Sequence, residues 1–119
     1  MTHEELVALR HAFHLDPEVG FNEHRTKARV AAILRDLGLE VHEGVGVVGV
    51  LKRGTGNRAI GLRADMDALP ITETSSHGYV SENAGVMHAC GHDGHMSMLI
   101  GAAARLAKDP NFDGTVVFI

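Results

Sequence analysis

VVGVLKRGTGNRAIGLRA, residues 47–64, is the stretch on which the reading of the fold turns. Two apolar runs, VVGVLK at 47–52 and AIGLRA at 59–64, flank RGTGN, a connection rich in glycine and asparagine. Such runs suit pleated strands and such residues suit a tight turn, so the segment predicts a β-hairpin. Upstream the period becomes helical. Leu6, Leu9 and Phe13 recur at helix spacing until Asp16-Pro17, where the residue before proline is pushed out of the α region. A second stripe of Val30, Ile33, Leu34 and Leu37 follows Asn22 as N-cap and stops at Gly38, a suitable C′ residue. Downstream, a polar and irregular stretch runs from Thr72 to Asn83, and a third helix is predicted to begin near Asp93. It places Met96, Leu99, Ile100, Ala103 and Leu106 on one face and stops at Asp109-Pro110. The last six residues, GTVVFI, have buried-strand composition, and such a strand needs hydrogen-bonding neighbours on both edges and cover for its apolar face. The expectation is one incomplete α/β unit, the front part of a larger protein.

Composition narrows the function classes. With 119 residues, 45% hydrophobic and 22% charged, the chain has the make-up of a globular domain rather than a disordered tail. A formal net charge of −4 and the lack of a Lys/Arg cluster argue against nucleic acid as a partner. One cysteine, Cys90, rules out an internal disulfide and fits a reducing compartment. No apolar run reaches membrane-spanning length and the amino terminus has no signal-peptide pattern, so no membrane partner and a cytoplasmic location are expected.

Residues 44–49, GVGVVG, spell the glycine pattern of dinucleotide-binding loops. That pattern works only where a helix follows at once and aims its free N–H groups at a pyrophosphate. Here VLKRGTG follows, a strand and a turn, so the glycines are read as belonging to a twisted strand or bulge.

Two other stretches carry chemistry. GLRADMDALP, residues 61–70, leaves a strand through Arg63, Asp65 and Asp67, and aspartates at i and i+2 project the same way. They either pair with Arg63 and cap a turn, or one of them orients a metal-ligating imidazole. MHACGHDGHM, residues 87–96, puts Cys90 and His92 on the loop entering the third helix. The amino end of a helix favours an anion, a thiolate is the form that binds metal, and an imidazole two residues on, across a glycine, reaches the same ion. Two ligands do not close a zinc-type site, and nothing before residue 87 offers a matching pair, so further ligands are expected beyond Ile119. His11 and His14 are read as surface or structural residues of the first helix.

FHLDPEVGFNEHRT (13–26), GLRADMDALPI (61–71), MHACGHDGHMSMLIGAAARLA (87–107) and GTVVFI (114–119) together resemble the amino-terminal part of the M20 family of metallopeptidases. The likeness is to its amidohydrolase branch of N-acyl-amino-acid, hippurate and auxin-conjugate hydrolases. The resemblance implies a three-layer α/β/α catalytic domain with a mixed sheet, of which residues 1–119 form the amino-terminal portion. The rest of that domain and a dimerisation or lid domain would lie outside it. It also implies hydrolysis of the amide bond of N-acyl amino acids or related small conjugates by a metal-activated water. Two divalent ions (Mn, Zn, Co or Ni) would be held in part by Cys90 and His92, with the thiolate bridging them. Asp67 matches an orienting aspartate, while Asp65 stands where the wider family has a metal-binding histidine, with His92 serving in its place. His88 and His95 inherit no ligand role and are expected to line or brace the loop. The general-base glutamate, further glutamate and histidine ligands and the contacts of a homo-oligomer, dimer or tetramer, would come from sequence after Ile119. The 119 residues alone are expected to be inactive. The competing expectation is a catalytically inactive remnant that binds metal weakly or associates with a partner subunit.

Overall fold

Residues 1–119 are described by a computed structural model with the order α1 (His3–Leu15), α2 (His24–Asp36), β1 (Glu40–Glu43), β2 (Val47–Arg53), β3 (Ala59–Leu62), α3 (His92–Lys108), β4 (Gly114–Phe118). All three helices predicted from periodicity are present. α1 opens with a capping box, Thr2 accepting from the Glu5 N–H while the Glu5 carboxylate accepts from the Thr2 N–H, and ends at Asp16, ahead of Pro17. α2 corrects the expected cap. Its N-cap position is Glu23 rather than Asn22, and that side chain caps nothing. The buried Glu18 carboxylate instead accepts from the N–H groups of Thr26 (2.6 Å) and Arg25 (3.2 Å) and from the Thr26 hydroxyl (2.8 Å). A carboxylate from the preceding loop thus satisfies the free donors of the helix start, where the dipole favours negative charge.

The sheet corrects the expected hairpin. Its order is β1-β2-β4-β3, with β2 antiparallel to β4 and β3 parallel to β4. β2 and β3 are therefore not partners; β4 lies between them and uses both of its edges, as its composition demands. The connection from Arg53 to Ala59 has to span two strand spacings, roughly 10 Å, instead of one. It does so by wrapping the residue that leads into β4: the Asp113 carboxylate accepts from the N–H groups of Thr55 and Gly56, each at 2.8 Å. The glycines that suggested a tight turn serve this crossing.

Register puts Val47, Gly49, Leu51, Val116 and Phe118 on one face, where they are buried against Val30, Ala31 and Leu34 of α2 and Met96, Ile100 and Ala103 of α3. Gly49 is required for this packing. A Cβ there would lie 3.0 Å from Leu34 and 3.1 Å from Leu39, so glycine lets α2 settle onto β2. The segment GVGVVG thus feeds a strand, as expected. Val48, Val50 and Val117 point to the opposite face and stand outside the core, so residues 1–119 supply helices to one face of the mixed sheet. The shortest dimension, 20 Å, is two layers deep. No helix is long and apolar enough to cross a membrane.

Candidate metal centre

Because β3 and β4 are parallel, their carboxyl ends open on the same side, and the chain leaving β3 runs there through Arg63, Asp65 and Asp67. Backbone bonds fix this segment. Ala64 donates to the Ile119 carbonyl (3.0 Å), Ala68 to Glu18 (2.8 Å), and Leu69 and Met87 exchange bonds of 2.9 and 3.0 Å. The last pair draws residues 87–92 beside the aspartates. Gly91 then turns the chain into α3 with φ +84°, a left-handed conformation that suits glycine, leaving Cys90 exposed and making His92 the first helical residue.

His92 sits between the two aspartates. Its Nδ1 lies 2.9 Å from the Asp67 carbonyl oxygen and 3.0 Å from Asp67 Oδ1. A carbonyl oxygen can only accept, so Nδ1 carries the proton and donates, which leaves the lone pair of a neutral ring on Nε2. Nε2 is turned toward Asp65, whose Oδ2 is 3.6 Å away and whose other oxygen pairs with Arg63. Asp65 thus pairs with Arg63, and Asp67 orients the imidazole of His92. Residues carrying a metal ligand commonly show this arrangement, the far ring nitrogen held by a carboxylate or carbonyl. A thiol and an imidazole lone pair on one turn suit a divalent transition ion. A cleft of about 370 Å³ adjoins the aspartates, lined by Gly20, Val45, Met66, Asp67, Met96 and Phe118 among others.

The other histidines separate. His95 is exposed, with its ring 5.6 Å from that of His92. His88 is buried with neither ring nitrogen hydrogen-bonded; burial pushes its pKa down against the opposing pull of Asp93, so it is a neutral imidazole. His14 is buried and structural: its Nδ1 is 2.7 Å from Asp93 Oδ2 and its Nε2 3.0 Å from Glu73. Upstream of residue 87 the structure also assembles a donor set that sequence reading missed. His14, Glu73 and His77 bring one ligand atom each to within 4.8 Å of one another. Cys90 and His92 form no such trio within residues 1–119. Glu73 and His77 stand four residues apart in the irregular 72–83 stretch, and only the contact of α1 with that stretch brings His14 to them.

Residues 61–119 match peptidase family M20/M25/M40. The whole fold superposes with a TM-score of 0.91 on the crystal structure of a dinuclear metal-binding peptidase of the M20 family from Bacillus subtilis. That match has 36% identity and covers 98% of this chain and 34% of the other. In sequence and in fold the chain is similar to peptidase family M20. Among curated proteins, the hippurate hydrolase of Campylobacter jejuni is 50% identical over 115 residues, covering 94% of this chain and 30% of that protein. Thermostable carboxypeptidase 2 of Saccharolobus solfataricus is 46% identical over 108 residues, covering 87% of this chain and 28% of that protein. The chain thus spans about 30% of the length of these curated relatives.

Proposed function

We propose that residues 1–119 are the amino-terminal portion of the catalytic domain of a metal-dependent amidohydrolase. Its complete form would cleave the amide bond of N-acyl amino acids or related small conjugates. The observation that carries this reading is His92, whose Nδ1 is held by Asp67 so that Nε2 keeps its lone pair, two residues along the chain from the exposed Cys90, while Asp65 and Asp67 line an apolar cleft. The names of the two curated relatives support the substrate class: hippurate is an N-acylated glycine, and a carboxypeptidase cuts the amide bond before a free carboxylate.

Cys90 and His92 would hold divalent metal, and Asp67 would be a positioning residue acting through His92. Two ions, as in the dinuclear Bacillus subtilis peptidase, are the proposed complement, with zinc favoured by the thiolate and manganese, cobalt or nickel suited to added carboxylates. Bound there, divalent ions supply Lewis acidity toward the amide carbonyl and a water acidic enough to attack near neutral pH. The chain's own work is to orient: Asp67 keeps the His92 ring from turning, Arg63 keeps Asp65 aimed, and the apolar cleft takes the acyl or side-chain group out of water. The glutamate that moves the proton to the leaving amine is proposed to lie outside residues 1–119, as are the contacts of a homo-oligomer. A cytoplasmic location accords with the single unpaired cysteine.

Native mass spectrometry of the protein from its own cells, followed by hydrolysis assays on N-benzoylglycine, tests this. A chain well above 12.7 kDa that carries metal, hydrolyses the amide, and loses both properties on Cys90→Ser is the expected result. A metal-free species of 12.7 kDa without activity would instead establish an inactive remnant.

A further inference from the structure

The structure assigns a second divalent-cation site, formed by His14, Glu73 and His77 without any of Cys90, His92, Asp65 or Asp67. Three donor atoms converge. Glu73 Oε2 is 3.0 Å from His14 Nε2 and 3.2 Å from His77 Nε2, and all three lie within 4.8 Å of one another. Ligands at about 2.0–2.1 Å around a tetrahedral ion are separated by about 3.3 Å, so both Glu73 pairs already stand near the spacing an ion needs, and the two imidazoles have only to close on it from within 4.8 Å. Two imidazoles and one carboxylate form a known zinc-binding set, with the fourth position open to water. Zinc, or a borderline divalent ion like it, is the ligand class.

Each donor is already oriented. The His14 Nδ1 edge meets Asp93 Oδ2 at 2.7 Å, which aims Nε2 at the site. The Ser81 N–H donates to Glu73 Oε1 at 2.7 Å, which leaves Oε2 for the two imidazoles. The His77 ring stacks on Tyr79 at 3.9 Å, and His11 stacks on Tyr79 at 3.7 Å. The side chains of His14 and Glu73 are only 3% exposed and that of His77 is 34%, so the site is closed beneath and entered past His77.

Charge and hydrogen bonding around the site are unfinished without a cation. His14 faces a carboxylate at each nitrogen, an arrangement that an ion on Nε2 would complete. The side-chain polar atoms that are buried without a partner are His77 Nδ1, Asp93 Oδ1 and both ring nitrogens of His88, all on or beside this cluster. Orphaned buried polar atoms are rare in folded proteins, and their concentration here marks a place built for something more than its own side chains. An ion would tie α1 to the 72–83 segment and stabilise both by mass action.

The test is zinc titration, by calorimetry, of the protein carrying Cys90→Ser, with and without His77→Phe. Phenylalanine keeps the stack on Tyr79 while removing the ligand. One zinc ion that binds in the Cys90→Ser protein and binds at least tenfold more weakly after His77→Phe is the expected result. Equal zinc binding by the two proteins would overturn the assignment. A second readout does not depend on the variant folding. In the Cys90→Ser protein, zinc is expected to shift the imidazole Nε2 resonances of His14 and His77 while Nδ1 of His14 stays protonated; resonances unmoved at saturating zinc would overturn it too.

Discussion

Two neighbouring residues at the start of α3 serve two imidazole–aspartate pairs that differ in nearly everything but design. His92 is held by Asp67, with side chains 15% and 41% exposed; His14 is held by Asp93, with side chains 3% and 1% exposed. In the first pair the other ring nitrogen is turned toward the half-exposed Asp65, 3.6 Å away. In the second it meets Glu73 at 3.0 Å inside the protein, with Arg10 also bonded to Asp93 at 2.9 Å. The same geometry thus stands where water reaches it in one pair and where water is excluded in the other. The low-dielectric surroundings of the second pair make its charges mutually dependent, so loss of one member strands the others. Glu73 shows this. Burial works to raise its pKa, yet hydrogen bonds from His14 and Ser81 overrule that and hold it at about 2.

The comparison breaks first, if it breaks, at His14. His14→Ala leaves the Asp93 and Glu73 carboxylates without the partner they share, and a loss of about 3–5 kcal/mol is expected in urea unfolding, as for a buried pair missing one partner. A loss below 1 kcal/mol would show that the inner pair is no more a lock than the outer one. At the outer pair, Asp67→Ala is expected to weaken metal binding at Cys90 and His92 about 10–100-fold while barely moving the unfolding midpoint. Equilibrium dialysis against zinc reads the affinity and urea titration the stability.

Acid sharpens the contrast further. Asp16 accepts from Arg25 and from Asn83, and these hold its pKa at about 2, while hydrogen bonds from Thr26 and Arg25 prevail over burial to depress that of Glu18. Both folded-state values lie below the unfolded ones, so their stabilisation is complete above about pH 5 and is lost as pH falls toward 2. Because Arg25 is well exposed, Asp16→Asn should cost no more than about 1 kcal/mol at pH 7, and should flatten the loss of stability between pH 4 and 2. Thermal unfolding across that range measures it. The smallest effect belongs to Cys90→Ser, an exposed exchange expected to change stability by less than about 0.5 kcal/mol in metal-free buffer. A larger change would mean that the thiol packs against the fold.

The helices were legible because period and punctuation are local: Leu6, Leu9 and Phe13, then Asp16-Pro17, contain α1 entirely. Strand character was equally local at 47–52, 59–62 and 114–118, but strand partnership was not. RGTGN reads as a hairpin turn until an apolar strand with two free edges competes for both flanking runs, and that strand begins more than fifty residues later. The same split runs through the site. Cys90 and His92 are two residues apart and announce themselves, whereas His14 and Glu73 are 59 apart and neither belongs to a spaced motif. Glu18 as the cap of α2 was hidden for a similar reason: the useful carboxylate sits eight residues before the Thr26 it serves, beyond the reach of capping rules written for adjacent positions.

The central place of β4 has a consequence for how the protein is made. During synthesis residues 47–62 leave the ribosome well before residues 114–118, the strand that both β2 and β3 require. Until that strand emerges, β2 can pair only with β1, and β3, with Ile60 already 58% exposed in the finished fold, has no partner at all. Nascent chains therefore spend several seconds, at roughly 5–20 residues per second, with sticky edges uncovered. A ribosome that stalls between Leu62 and Gly114 would release a species prone to pairing with its neighbours, and the nascent chain becomes a natural client for holding chaperones.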